Sequence, residues 1–237
     1  MLSGVPFPRS RGTVGKSFFS FSMNDNHANG EARSLLERLA RTQATLDRER
    51  AEAPALCSRL LALPAEQQEE TLRMDVRFHT WGVCEVLLER SLAAAEGEAA
   101  ESGRLSSLVL TAADLLDEAL HVAPVVQDLE ARAWALLGEA KLRAGDIPGA
   151  EKALHEAAGR LGHGTGDLLV EARLLEFEAA VRRQEGRTSE AAALLKQAES
   201  RYREANEHHL AARTHHKRDQ VLQQADGLRN IVFEPTS

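Results

Sequence analysis

Three arginines recur at nearly constant spacing in the second half of the chain. Arg132, Arg173 and Arg213 lie 41 and 40 residues apart, and each follows an alanine. A guanidinium group presents a planar fork of N–H donors that matches a carboxylate or a phosphate. The spacing therefore indicates a row of anion-binding side chains, which we call the arginine row. The alternative is that each arginine pairs with an acid of a neighbouring helix, such as Glu130 or Glu171.

Two glycine-containing segments invite a nucleotide-binding interpretation that their surroundings oppose. Residues 10–17 (SRGTVGKS) end in Gly-Lys-Ser, as a phosphate-binding loop does, but neither a preceding strand nor a following helix is predicted. Residues 162–166 (GHGTG) follow a predicted helix instead of a strand, so the geometry of a dinucleotide fingerprint cannot form. We interpret the second segment as a turn between helices.

The remaining polar residues do not predict an enzyme. The histidine pairs at 208–209 and 215–216 are spaced by seven residues on one helix face, roughly 10 Å of rise, which is too far for one metal ion. No two acids are placed in a glycine-rich loop or at a strand end, and no GxSxG motif occurs. The sequence therefore predicts no catalytic residue, no metal and no cofactor.

The arginine row lies in a segment with a helical pattern throughout. Gly145 and Gly186 are predicted to end helices in the left-handed conformation, and Asp167, Thr188 and Asn206 are predicted N-caps. These signals and the apolar periodicity predict helices at about 128–144, 148–161, 168–185, 189–204 and 207–225.

The pattern upstream is also helical but less regular. Trp81, Cys84, Leu88 and Leu92 predict one face of a long helix, residues 94–103 read as an acidic linker, and the next helix is predicted to stop at Pro124. The predicted divisions are a disordered segment at 1–29, N-terminal helices at 30–75 with breaks at the prolines at 54 and 64, a helical array at 76–226 and a tail at 227–237.

Longer stretches repeat at the same step as the arginines. Residues 145–157 (GDIPGAEKALHEA) match residues 186–198 (GRTSEAAALLKQA), 41 residues further on. Self-similarity at a period of this size is typical of stacked supersecondary units.

This repeat resembles the tetratricopeptide repeat in its long-period bacterial form. The pattern Trp-x2-Leu-Gly followed by Ala-x3-Phe and a further Ala corresponds here to Trp134, Leu137, Gly138, Ala150, Leu154 and Ala157. The next unit keeps the second half of the pattern at Ala191, Leu195 and Ala198. The preceding unit has Ala112 and Leu116, with the Trp81 helix as partner.

The resemblance implies an all-α fold, a right-handed α-solenoid of antiparallel helix pairs at about 76–122, 128–161 and 168–204 with a C-terminal capping helix. It also implies a concave groove in which extended peptides dock, with the arginine row along it. We therefore expect a non-enzymatic protein-interaction scaffold or adaptor for a protein or peptide partner, and the arginine row favours an acidic one. The alternative is a ligand- or peptide-sensing regulatory domain that controls a bacterial transcription or signalling protein.

Composition adds bounds on partners and compartment. The 237 residues carry a net charge of -7, which argues against nucleic acid as the main partner. No apolar run approaches the ~20 residues of a membrane helix, and Cys57 and Cys84 lack CxxC spacing, which favours buried thiols in a reducing cytoplasm. Three units are near the minimum for such an array, so we also expect use of a partner or a second copy as a homo-oligomer.

Overall fold

The computed structural model describes the backbone of residues 22–232 and the side chains of residues 33–224. Every regular element in this range is helical, which confirms the predicted all-α class. A short 3-10 turn at Val76–Phe78 joins α2 to α3. The helices are α1 (Ser22–Leu61), α2 (Ala65–Met74), α3 (Trp81–Ala94), α4 (Ala99–Ala113), α5 (Ala123–Arg143), α6 (Ile147–Leu161), α7 (Leu168–Gln184), α8 (Thr188–Glu204) and α9 (His208–Val232).

Contacts divide the chain after Ala44 into two units. The described part of the first unit is the N-terminal half of α1, where Leu35, Leu36 and Leu39 are each more than half exposed. The second unit begins at Thr45 and contains the rest of α1, all of the later helices and the buried core.

The helix ends in the second half lie close to their predicted positions. Gly145 and Gly186 have φ angles of +81° and +76°, in the left-handed region where glycine carries no Cβ penalty. Asp167 caps α7, with its carboxylate accepting from the Leu169 amide at 2.8 Å. These three residues act as the sequence predicts.

Two predicted N-caps are wrong. Asn206 has a φ of +62° and ends α8, because the following amide of Glu207 donates back to the Tyr202 carbonyl at 2.8 Å. A left-handed asparagine is the common substitute for glycine at this position. Thr188 is the first residue of α8, and Arg187 holds the N-cap position without a side-chain cap.

The boundaries upstream also differ from prediction. Residues 22–29 are helical rather than disordered, while residues 1–21, including the glycine-containing segment at 10–17, lie outside the described residues. Helix α1 runs through Pro54. Helix α4 begins at Ala99, so the predicted linker shortens to residues 95–98, and Pro124 opens α5 where a missing N–H is tolerated. Helix α9 extends to Val232, into the predicted tail.

From α3 onward each helix packs mainly on its neighbours in the chain; α5 also contacts α7, and α2 packs on α4. Gly138 marks the closest approach between α5 and these neighbours. A Cβ there would overlap the Phe177 ring of α7, reach 2.6 Å from its Cε1 and lie 3.0 Å from the Ala153 Cβ of α6. Only glycine permits this separation, because any side chain would need the place that Phe177 fills.

The residues assigned to repeat packing lie in these contacts, with two degrees of burial. Trp81, Trp134, Leu137 and Leu154 are only half-buried, so the indoles flank the core instead of filling it. The others are buried: Ala112, Leu116, Gly138, Ala150, Ala157, Ala191, Leu195 and Ala198. The two alanine series of α6 and α8 form small-residue seams against α5 and α7.

Both cysteines are buried in the core shared by α1 to α5, as predicted. Burial raises the pKa of the Cys57 thiol to about 11, and burial also raises the pKa of Cys84. These thiols are therefore protonated at neutral pH. Among the described residues, no helix is both long and apolar enough to cross a membrane.

Candidate functional site

One groove in the second unit brings the whole arginine row together. It has a volume of about 630 Å³ and is lined by residues from α3, α5, α7 and α9, with Tyr202 of α8. Arg132 comes from α5, Arg173 from α7 and Arg213 from α9. Side chains recurring at the repeat step thus line one surface, as the sequence predicts.

The groove is also lined by two cations that were not predicted from the sequence. Arg143 lies at the end of α5, and Lys217 lies one helical turn after Arg213 on α9. The spacing of four between Arg213 and Lys217 is the signal that could have identified Lys217. Arg143 has no counterpart at the repeat step, so periodicity could not reveal it.

Apolar side chains lie between the cations. Leu92 of α3 is 51% exposed, which is high for a leucine in a folded helix. A surface of this kind offers both burial of apolar groups and charge-assisted hydrogen bonds. The apolar lining consists of Leu88, Leu92, Ala95, Leu136, Leu169, Val170 and Leu210.

The arginine row is only partly neutralised. Arg132 Nη2 lies 2.6 Å from Asp167 Oδ2, and Arg173 Nη2 lies 3.1 Å from Glu139 Oε2. Arg213 has only a 4.0 Å contact with Glu96. Because Glu96 is 89% exposed, that contact is worth little against water and salt.

The acids that the sequence analysis named as alternative partners bind other arginines. Glu130 pairs with Arg160 at 2.9 Å, and Glu171 pairs with Arg201 at 2.8 Å. The alternative nevertheless holds for two of the three arginines, because Arg132 and Arg173 pair with Asp167 and Glu139 of neighbouring elements.

Two donors of the arginine row are left over. The Nε atoms of Arg173 and Arg213 are buried and have no hydrogen-bond partner among the described residues. A buried donor without a partner costs about 1–3 kcal/mol of free energy. Such groups often mark a place where a ligand or water completes the bonding.

A buried carboxylate supports the α9 side of the groove. Glu176 accepts from Thr214 Oγ1 at 2.6 Å, Lys217 Nζ at 3.1 Å and Tyr202 Oη at 3.4 Å. Burial alone would raise the pKa of Glu176, but Lys217 and the Thr214 hydroxyl outweigh it, so the pKa is lowered. Burial, together with Glu176, raises the pKa of Tyr202. This network fixes Lys217 and Tyr202 at the groove.

A second pocket of about 390 Å³ adjoins the groove and shares Leu88, Glu89 and Arg132 with it. Trp81 lines this pocket, donates from its indole N–H to Glu85 at 2.6 Å and stacks on His121 with ring centroids 5.7 Å apart. The groove therefore continues past Arg132 toward the start of α3.

The glycine-containing turn at 162–166 closes one side of the second pocket. Buried Asp128 accepts from the Thr165 amide at 3.1 Å and from the Thr165 hydroxyl at 2.5 Å. Because Thr165 belongs to the turn and Asp128 to α5, these bonds hold the turn against α5. The turn thus positions Asp167 and the start of α7.

The histidines of α9 have no metal-like arrangement. His215 lies 3.3 Å from Glu199 and from Asp219. Across the described range, no three His, Cys, Asp or Glu side chains converge in a way that could hold a metal ion.

Comparison of the chain with protein-family models, with curated proteins and with solved structures gives no match.

Proposed function

We propose that this chain is a protein-interaction module that binds an extended acidic segment of a partner protein in the groove lined by the arginine row. In this proposal α3 to α9 form a right-handed α-solenoid of antiparallel pairs that resembles tetratricopeptide repeats. The chain acts as an adaptor and has no catalytic role. The observation that carries the proposal is the convergence of Arg132, Arg173 and Arg213 on one groove.

The stacking is supported by repetition of the same local structure. Gly145 and Gly186 end α5 and α7 with the same left-handed geometry and the same backbone bonds. Gly138, Ala150 and Ala191 stand at the close contacts, where small residues let helices approach. A repeated hairpin of this kind buries its apolar face only against the next one.

The anionic character of the ligand is supported by the charges that remain available. Arg143 makes no ion pair within the described residues, and Arg213 makes only its 4.0 Å contact. A carboxylate entering the groove would accept from these groups without displacing a strong pair.

The test uses the whole chain as bait for a displayed library of random peptides. We expect wild type to enrich peptides that contain Asp or Glu, with affinity that falls as salt is added, because exposed charges are screened over about 8–10 Å. The double variant Arg143→Glu, Arg213→Glu should lose these peptides. Neither side chain makes a strong pair, so thermal stability should hardly change.

The matched control is Arg183→Glu with Lys196→Glu, which makes the same change in net charge at exposed positions outside the groove. The control should keep the selected peptides. If both double variants lose binding equally, the effect is one of overall charge and the groove is not the site. Enrichment of peptides without acids would contradict the proposal.

The groove volume favours a second candidate. About 630 Å³ lies within the 300–1,000 Å³ range of small-molecule sites, which suits a ligand-sensing regulatory domain. A small dicarboxylate or tricarboxylate that raises the melting temperature of wild type but not of the Arg143→Glu, Arg213→Glu variant would support it.

A further inference from the structure

The negative and positive charges of the groove come from different helices. The α3 side contributes only acids, Glu89 and, in the turn after the helix, Glu96. Helices α5, α7 and α9 contribute only cations: Arg132, Arg143, Arg173, Arg213 and Lys217. A uniformly acidic segment would therefore meet attraction from three helices and repulsion from the fourth.

The acids of the α3 side, Glu89 and Glu96, form no strong ion pair among the described residues. Glu89 is exposed and has no partner among the described residues. Glu96 has only the 4.0 Å contact with Arg213. Glu89 also lines the adjoining pocket, where the other carboxylates are already bonded: Glu85 to Arg50, Asp128 to Thr165 and Asp167 to Arg132. The available charge thus has both signs, with Glu89 and Arg143 as its unpaired members.

We propose that the groove selects a segment of mixed charge, with acidic side chains toward α5, α7 and α9 and basic side chains toward α3. This inference rests on the proposed function and specifies its ligand. The bound stretch should therefore carry both acidic and basic side chains.

Apolar residues complete the expected segment. Leu88 and Leu92 lie on the α3 side, while Leu136, Leu169 and Leu210 lie on the other helices. The helices that supply the acids and those that supply the cations thus both supply leucine. The segment should combine leucine-sized side chains with both signs of charge.

The test is selection from the random peptide library with wild type, with Glu89→Lys and with Arg143→Glu. It distinguishes a ligand of mixed charge from a uniformly acidic one. Both residues are exposed and unpaired in the described structure, so each reversal should leave the melting temperature nearly unchanged. Wild type should enrich peptides that carry both acids and bases. Glu89→Lys should enrich peptides that have lost their Lys and Arg, and Arg143→Glu should enrich peptides that have lost acids.

The size of the effect of Glu89→Lys is measured as the change in Kd for one peptide that wild type has selected. Glu89→Lys should raise its Kd about two- to fivefold, as expected for loss of an exposed charge pair. Replacing the peptide's basic residues with Glu should restore affinity for Glu89→Lys while weakening it for wild type. If Glu89 had only a structural role, wild type and Glu89→Lys would prefer the same peptide.

If wild type enriches uniformly acidic peptides and Glu89→Lys enriches the same peptides, the mixed-charge inference is wrong and the proposed function still stands. Enriched peptides without acids, or no enrichment at all, would overturn both.

Discussion

The packing around α6 and the packing of α9 rely on different chemistry. Between α5, α6 and α7 the core consists of alanines, Phe177, Leu174 and Val181 around Gly138, and the buried carboxylate of Glu130 pairs with Arg160 of α6 at 2.9 Å. Between α7, α8 and α9 two buried carboxylates, those of Glu176 and Glu199, accept bonds from side chains of α9. Apolar burial is insensitive to pH, whereas a buried carboxylate must stay charged to hold its partners. The groove is therefore supported on one side mainly by apolar packing and on the other mainly by bonds to buried carboxylates.

The same contrast bears on the cations of the groove. Arg132 and Arg143 lie on α5, which is held mainly by apolar packing and by the Glu130–Arg160 pair, while Arg213 and Lys217 lie on α9. Because Lys217 and Arg218 of α9 both bind buried carboxylates, we expect salt to weaken the α9 side more than the α5 side.

Phe177→Ala should give the largest loss. The side chain is 1% exposed and fills the space against Gly138, so its removal should lower the free energy of unfolding by about 3–5 kcal/mol. Chemical denaturation measures it. A loss below about 1 kcal/mol would show that the contact between α5 and α7 is not a tightly packed one.

Gly138→Ala should destabilise by about 1–3 kcal/mol through overpacking. Gly159→Ala is the matched control, because Gly159 is also within a helix but a Cβ there meets nothing within 4 Å. That control should be stabilised by up to about 1 kcal/mol. Adding Phe177→Leu to Gly138→Ala should recover part of the loss if the ring is the obstacle. Equal effects at the two glycines would contradict the close approach.

Glu176→Gln tests the titratable side and should cost about 1–2 kcal/mol near neutral pH, because the bonds from Lys217 and Thr214 lose their charge. The pKa of Glu176 in the folded chain lies below the ordinary value of 4.5. Its stabilising contribution is therefore complete above that value and is lost as pH falls through the lower folded pKa.

The difference in unfolding free energy between wild type and Glu176→Gln should accordingly shrink below about pH 4.5. The control is Glu89→Gln, an exposed acid without a described partner, for which a difference near zero is expected at every pH. If the difference in unfolding free energy between wild type and Glu176→Gln stays constant from neutral to strongly acid solution, the charge of Glu176 does not stabilise this packing.

Local signals predicted the helices of the second half well because each boundary depends on one residue with a strong preference. Gly145, Gly186 and Asp167 fix φ or supply a cap without help from distant residues. Asn206 failed because asparagine serves both as an N-cap and as a left-handed helix end, and only the backbone decides. The linker prediction failed at Ser102, whose carbonyl and hydroxyl contact Ser91 in a buried cluster that no local pattern reveals.

For the groove, periodicity identified the arginine row but not its surroundings. Burial of Glu176 and Glu199 runs against the usual exposure of glutamate, and the partners come from a helix 38 to 41 residues away in the case of Glu176. The acids of the α3 side are equally hidden, since Glu89 and Glu96 do not recur at the repeat step. Long-range neighbours such as these need the folded structure.

The alanine seams of α6 and α8 limit how this sequence can change over generations. Ala150, Ala157, Ala191 and Ala198 have no rotamers to lose on folding, so the close contact carries no side-chain entropy penalty. Glycine there would weaken the helix by about 1 kcal/mol, and a larger side chain would force the helices apart. Inherited substitutions should therefore collect on exposed positions such as Glu89 and Arg143, where a new ligand preference can arise without loss of the fold.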